Sequence, residues 1–279
     1  MNRSISFLSL FVLGFGVGTV AHADPEADRL ALVNYYQQRY PNVDLQEYAN
    51  GLYAFDEVAR EQWIEMEDFP PYEIGMEEGE EYFNTPFANG KGYADCFENG
   101  GIGIRQNFPY FDATLGEVVT LELAINQCRE TNGEEPLPYL DGELVAVSAY
   151  MAYTSRGSTT NVNIPTQDPR ALQAYESGKE FYYARRGQLN FACASCHAQS
   201  AGLSLRADRL SAALGQTTHW PVYRSSWGEI GSLHKRFREC NVQVRARPFE
   251  AQSLEYRNLE YFLTYMSNGL QLNGPASRR

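Results

Sequence analysis

Cys193-Ala-Ser-Cys196-His197 decides how the rest of this chain is read. Two cysteines spaced C-x-x-C and followed at once by histidine form the attachment sequence of a c-type haem. Two thiols reach the two vinyl groups of one porphyrin, and the next side chain sets an imidazole nitrogen on the iron. A bare C-x-x-C would also suit a redox dithiol or half of a zinc site. The adjacent histidine, in an exported chain, favours haem. The motif leaves the sixth position of the iron unfilled.

Export is expected from the first residues. Met1-Asn-Arg3 is a short basic start, Phe7 to Val20 is an apolar run, and Ala21-His-Ala23 is a small-residue cleavage site. Residues 1–23 therefore read as a signal peptide that sends the protein to the periplasm. The run is too short and glycine-rich for a comfortable span, and no later segment is long and apolar enough, so no membrane span is expected. An oxidising compartment permits disulfides. With 35 acidic against 23 basic residues and a net charge of −12, the surface does not suit nucleic acid or anionic membranes.

The chain reads as two similar halves. Gly79-Glu-Glu-Tyr-Phe stands ahead of Cys96 much as Gly178-Lys-Glu-Phe-Tyr stands ahead of Cys193. Each half closes on an apolar helical pattern, Leu144 to Tyr153 and Leu259 to Met266, with a glycine C-cap expected from Gly157 and Gly269. Helix, cysteine loop, then closing helix is the layout of a small haem-c domain, so the repeat points to duplication. The expected fold is mainly α: two cytochrome c-like domains in tandem, at 24–160 and 161–279, the first having lost its haem. Ser155 to Pro165 reads as linker or extended loop. The acidic stretch Glu65 to Glu81 reads as a solvated surface excursion.

Five cysteines are present. Two belong to the haem motif, which leaves Cys96, Cys128 and Cys240, and an odd number in an exported chain implies a thiol with a task. A Cys96–Cys128 disulfide is the simplest pairing, closing a long loop in the half without haem. The rival pairing bridges Cys240 and frees one of the other two. Cys240 sits in a segment of helical composition with Arg236 four positions earlier, on the same face. Lys235 and Arg238 are expected to add positive potential, and cationic neighbours expose the reactive thiolate. Candidates for the sixth ligand are His219, His234, Met151, Met266 and Cys240. Histidine or methionine would make an ordinary electron-transfer site, whereas a thiolate pushes electron density onto iron. Met266 is better explained as core of the closing helix.

Ala124-Ile-Asn-Gln-Cys-Arg129, Glu135-Pro-Leu, Cys193-Ala-Ser-Cys-His197 and His234-Lys-Arg-Phe-Arg-Glu-Cys-Asn-Val-Gln-Val-Arg-Ala246 together resemble the SoxA family. These are the cytochrome subunits of L-cysteine S-thiosulfotransferase in bacterial thiosulfate oxidation. The last motif is the most specific. The resemblance implies a catalytic subunit with Cys240 as distal haem ligand and active-site thiol, carried as a persulfide, and Arg236 as substrate-binding residue. It implies one haem c on Cys193, Cys196 and His197, because the first half lacks the second cysteine and histidine that two-haem members carry. The implied partners are the cytochrome SoxX in a heterodimer, the sulfur carrier SoxYZ, thiosulfate, and a soluble electron-accepting cytochrome. The competing readings are a pure electron-transfer cytochrome with a His or Met distal ligand, and a regulatory haem subunit in which Cys240 only tunes the iron.

Overall fold

The computed structural model describes residues 24–206 and 208–278. The expected signal peptide lies outside the described residues. Helix α1 (Pro25–Arg39) opens on Asp24, whose carboxylate accepts the Ala27 N–H at 3.0 Å, with proline in its first turn. It buries Leu32, Val33 and Tyr36. Helices α2 (Glu57–Met66) and α3 (Glu73–Asn84) follow, then short helical turns lead to the hairpin β1 (Tyr110–Asp112) and β2 (Glu117–Val119). Helices α4 (Leu121–Thr131) and α5 (Glu143–Tyr153) complete the first half.

The second half repeats the plan. Helix α6 (Pro169–Tyr183) leads to a π turn at Ser195–Gln199 and the small hairpin β3 (Ser204–Leu205) and β4 (Asp208–Arg209). Hairpin β5 (Val222–Arg224) and β6 (Glu229–Gly231), helices α7 (Leu233–Gln243) and α8 (Leu254–Met266), and strand β7 (Ala276–Arg278), parallel to β5, complete it. The fold is mainly helical, and its sheets have only two or three strands.

The repeat has a physical basis at the helix crossings. A Cβ added to Gly79 on α3 would lie 1.9 Å from the Ala146 carbonyl oxygen on α5. A Cβ added to Gly178 on α6 would lie 2.0 Å from the Asn258 oxygen on α8. Backbone meets backbone in both halves, and only glycine permits that approach. Ala146 and Asn258, β1 and β5, α4 and α7, and Cys128 and Cys240 all stand at one offset of 112 positions (240 − 128). Two cores result. One gathers Phe83, Phe87, Tyr93, Leu121, Ile125 and Leu144. The other gathers Tyr175, Tyr182, Tyr256 and Phe262, together with Tyr36 from α1.

Three local expectations are corrected. Helices α5 and α8 end at Thr154 and Ser267, because their last carbonyls are taken up by the following turn; Gly157 and Gly269 have positive φ but lie beyond the caps. After a turn at 154–157, residues 158–165 are extended as expected but packed instead of forming a free linker, with Thr160 N–H bonded to Leu270 O at 2.9 Å and Val162 and Ile164 buried. The stretch Glu65 to Glu81 is no mere excursion, since it contains most of α3 and the Gly79 crossing.

Candidate haem and sulfur site

Cys196 and His197 ride on the π turn, a helical segment of five residues too short to supply donors to its last carbonyls. Helix α1 supplies donors instead. Tyr36 donates its hydroxyl to His197 O, and Tyr40 donates to Ala201 O. Tyr35 reaches Ala198 O at 3.2 Å, and Arg39 Nη1 reaches the same oxygen at 3.0 Å. The Ala213 N–H donates to His197 O at 2.8 Å. The motif is therefore clamped by residues more than 150 positions away.

The same strap fixes the histidine. His197 Nδ1 lies 3.0 Å from the Ser211 carbonyl, which can only accept, so Nδ1 carries the proton and Nε2 keeps its lone pair. Burial pushes the imidazole down to about 4, which holds it neutral near pH 7. Neutral, oriented by a second-shell carbonyl and with Nε2 available, it has the form that an iron ligand requires.

Helix α7 brings the second set. Ser232 caps it, accepting the Lys235 N–H at 3.3 Å, and Leu233, His234, Phe237 and Asn241 form its buried side. Arg236 and Cys240 stand one turn apart. Cys193, Cys196 and Cys240 are free, half-buried thiols. Burial, and next the nearby Cys240 sulfur, push the Cys193 thiol up to about 12, and the same two causes raise Cys196. Arg236 acts electrostatically on both Cys196 and His197. The motif cysteines, Cys240 and Arg236 thus share one region.

Lys235 and Arg238 do not join them, contrary to expectation. Lys235 Nζ holds Glu229 at 2.5 Å and Asp141 at 3.0 Å; Arg238 holds Phe249 O at 2.6 Å and Glu250 at 3.2 Å. Five and two positions from Cys240, they project from other faces of the helix. Arg236 itself pairs with Glu239 through Nη1. Burial opposes ionisation of Glu239, but Arg236 and the Trp227 indole N–H at 3.3 Å overcome it and hold the carboxyl below its ordinary value.

The other sixth-ligand candidates have different occupations. His234 Nδ1 accepts the Gln252 N–H at 3.0 Å, and Nε2 lies 3.2 Å from Glu260 Oε2. His219 is buried beside Gly51 and Arg278, with burial and then Arg278 pushing it well below its ordinary value. Met151 and Met266 belong to the two separate cores. In the first half Cys96 and Cys128 are joined as a disulfide, the pairing expected.

Haem c fits this donor set. Two free thiols can form thioethers and His197 Nε2 can ligate iron, with Cys240 close at hand. The buried Tyr182 hydroxyl beside Cys193 and Cys196 has no hydrogen-bond partner. Among the described residues no three His, Cys, Asp or Glu groups converge as a bare ion would require. Reading the sequence missed Tyr35, Tyr36, Tyr40 and Ser211. The i, i+4 spacing of Tyr36 and Tyr40 was the available signal.

The chain is also similar to known proteins. The model of the SoxA/TsdA cytochrome c domain matches residues 78–160 and 177–272. The L-cysteine S-thiosulfotransferase subunit SoxA of Allochromatium vinosum is 57% identical over 263 residues, covering 94% of this chain and 93% of that one. The subunit of the same name from Chlorobaculum tepidum is 53% identical over 254 residues, covering 91% and 88%. The crystal structure of SoxXA from P. pantotrophus aligns with a TM-score of 0.71 at 31% identity, covering 78% of this chain and 84% of that one. Among the described residues no helix is long and apolar enough to cross a membrane. With two cytochrome c segments matched and close relatives aligned over nearly their whole length, the chain belongs to the SoxA family of L-cysteine S-thiosulfotransferase subunits.

Proposed function

We propose that this chain is the periplasmic catalytic subunit of a haem enzyme that conjugates thiosulfate to a cysteine of a sulfur carrier protein. The observation that carries the reading is the grouping of Cys240, free and one helical turn from Arg236, with the Cys193 and Cys196 thiols. Cys240 would be the active-site sulfur, carried as a persulfide, and would supply the second protein ligand to the haem iron; Arg236 binds substrate. Cys193 and Cys196 attach a single haem c covalently, and His197 is its proximal ligand. When bound, the haem supplies a one-electron outlet toward a SoxX-type partner cytochrome in a heterodimer, and from there to a soluble cytochrome.

The reaction balances as thiosulfate plus carrier thiol giving the carrier's S–S–SO₃⁻ adduct, one proton and two electrons. One S–S bond forms and the thiol S–H bond breaks. Thiosulfate is a dianion, and a guanidinium presents forked donors to its oxygens. Glu239 occupies one donor of Arg236 and so sets the direction of the fork. The carrier is SoxYZ-type, as in the family.

The domain at 161–279 holds the haem, and the domain at 24–160 has none. The disulfide supports this division. Cys128 stands 112 positions before Cys240 and is bonded to Cys96, so the sulfur equivalent to Cys240 is engaged in a disulfide and is not available to a haem. The test is thiosulfate-dependent reduction of an acceptor cytochrome by the holo heterodimer with carrier. Cys240→Ala should abolish turnover while the covalent haem remains, and Arg236→Gln should raise KM for thiosulfate at least about tenfold, since charged hydrogen bonds contribute about 1.5–3 kcal/mol. Full activity in Cys240→Ala would sink the reading.

A further inference from the structure

Strand β7 carries Arg278 into the interior, where the residue is 6% exposed. Its guanidinium lies over the rings of Tyr53 and Trp63, at 4.9 and 5.8 Å from their centres, and these two rings stack on each other at 4.9 Å. Contact with the ring faces holds the cation without neutralising it. Nη1 donates to Ser277 O at 2.8 Å. The opposite edge is different: Nε and Nη2 are both buried and have no hydrogen-bond partner.

No carboxylate answers this charge. Glu67 is the acid that acts on Arg278, but its oxygens are taken by Trp63 Nε1 at 2.8 Å and the Tyr72 hydroxyl at 2.6 Å. The sheet adds a second cation instead. Parallel pairing of β5 with β7 sets Arg224 in register with Arg278, so the two side chains leave the same face of adjacent strands. Burial pushes Arg278 down to about 10 and Arg224 works in the same direction, yet the group stays charged at pH 7. A buried cation with a cation for a neighbour is costly, and the potential there favours a negative charge.

The same edge has space beside it. Gly51 has φ of +63°, and a carbon added to it would lie 3.5 Å from His219 Cε1 and 3.7 and 3.8 Å from Arg278 Nε and Nη2. These are ordinary contact distances, so room for one atom is open against the unpartnered donors. His219 is 7% exposed, and its Nδ1 is a further buried atom without a partner. Burial, and next Arg278, push the imidazole well below its ordinary value, so it is neutral and carries one proton. In the tautomer with that proton on Nδ1, it adds a third donor to the edge. A water would accept these hydrogen bonds but leave the charge unanswered. A monatomic anion supplies acceptor and charge together in one atom's volume.

We propose that the Nε–Nη2 edge of Arg278, with His219 Nδ1, seats a chloride ion. The ion sits where the Gly51 turn of the first half meets strand β7 of the second, and it completes the charge balance of that junction. The proposal is independent of the catalytic reading, and its test needs no turnover.

Crystals of the holo protein grown with bromide in place of chloride give the direct test. A bromine anomalous peak is expected in contact with Arg278 Nε and Nη2. A peak without anomalous signal would identify a water and overturn the proposal, as would an edge with no density. Thermal unfolding gives a second test, with chloride exchanged for gluconate at constant ionic strength. With chloride at about ten times its Kd, linkage predicts a Tm about 3–6 °C higher than in gluconate. Arg278→Met keeps an apolar stem against the two rings and removes the donors, so the difference between the salts should vanish. Equal Tm values in the two salts, or the full chloride gain retained by Arg278→Met, would overturn the assignment. Should Arg278→Met fail to fold, the bromide peak in the unaltered protein decides alone.

Discussion

Gly178→Ala tests whether the α6–α8 crossing is the rigid floor of the haem half. Helix propensity alone makes the change favourable, by about 1 kcal/mol. The structure says otherwise. The new methyl carbon would stand 2.0 Å from the Asn258 oxygen, 2.6 Å from its carbonyl carbon and 2.9 Å from Phe262 Cβ. Two of these contacts are to backbone, which cannot rotate away, so the helices must part by about 1 Å or more along a packed crossing. Overpacking of this kind costs about 1–3 kcal/mol and occasionally more. A backbone obstacle belongs at or beyond the upper end, which leaves a net loss of about 2 kcal/mol after the propensity gain. For a chain of this size that is a fall in Tm of about 4–8 °C. The assay is thermal unfolding of the holo protein followed by circular dichroism and by the haem absorbance. Gly79→Ala, which meets Ala146 O at 1.9 Å, serves as the matched change in the other half. An unchanged or raised Tm in Gly178→Ala would refute the close-crossing argument and leave propensity as the ruling effect.

Two other perturbations address the first half and its junction with the second. Replacing Cys96 and Cys128 together by serine opens a 32-residue separation, and loop-closure entropy then predicts a loss of about 3.7 kcal/mol. Denaturant melts should show it while the haem spectrum holds, and a loss below about 1 kcal/mol would refute the assignment of the bridge as a main stabiliser. Glu260 lies buried between Arg105, at 3.5 Å, and His234, at 3.2 Å. Glu260→Leu should cost about 3–5 kcal/mol by stranding a buried guanidinium, and adding Arg105→Met should recover most of it; a double variant no more stable than the single one in urea melts would contradict this.

What could be read in the sequence was what short spacings encode. Two thiols and an imidazole within five residues specify one cofactor, and the glycine-led aromatic helices of α3 and α6 announced the duplication. The cysteine count made the Cys96–Cys128 bridge the simplest pairing, with a rival through Cys240 left open, and the structure holds the simplest one. What could not be read joins residues distant in the chain. Tyr36 meets the His197 carbonyl across 161 positions, and Arg105 finds Glu260 across the two halves. Nothing local in either segment signals the partner. Charge near Cys240 was misjudged for a related reason. Lys235 and Arg238 are adjacent in sequence, but their helical faces send them to Asp141, Glu229 and Glu250 instead.

The duplicated scaffold also shows where the two halves differ around their equivalent cysteines. At the common offset of 112 positions, α4 and α7 each begin on a hydroxyl N-cap, Thr120 or Ser232, and each carries its cysteine at the eighth helical residue. The second residue of each helix makes a buried polar contact to the closing helix. Glu122 meets the Ser148 hydroxyl at 2.7 Å, and at the equivalent places His234 meets Glu260 at 3.2 Å. Both halves therefore hold their cysteine helix against the closing helix in the same way. The difference lies in what faces the sulfur. Arg236 has Ala124 as its counterpart, so the first half has no guanidinium at that place on the helix, and the Cys128 sulfur is spent in a covalent bond. A disulfide sulfur cannot act as a thiolate until it is reduced. Restoring a free thiol at Cys128 should therefore leave thiosulfate turnover unchanged, because the guanidinium is missing from that place on the helix as well as the nucleophile.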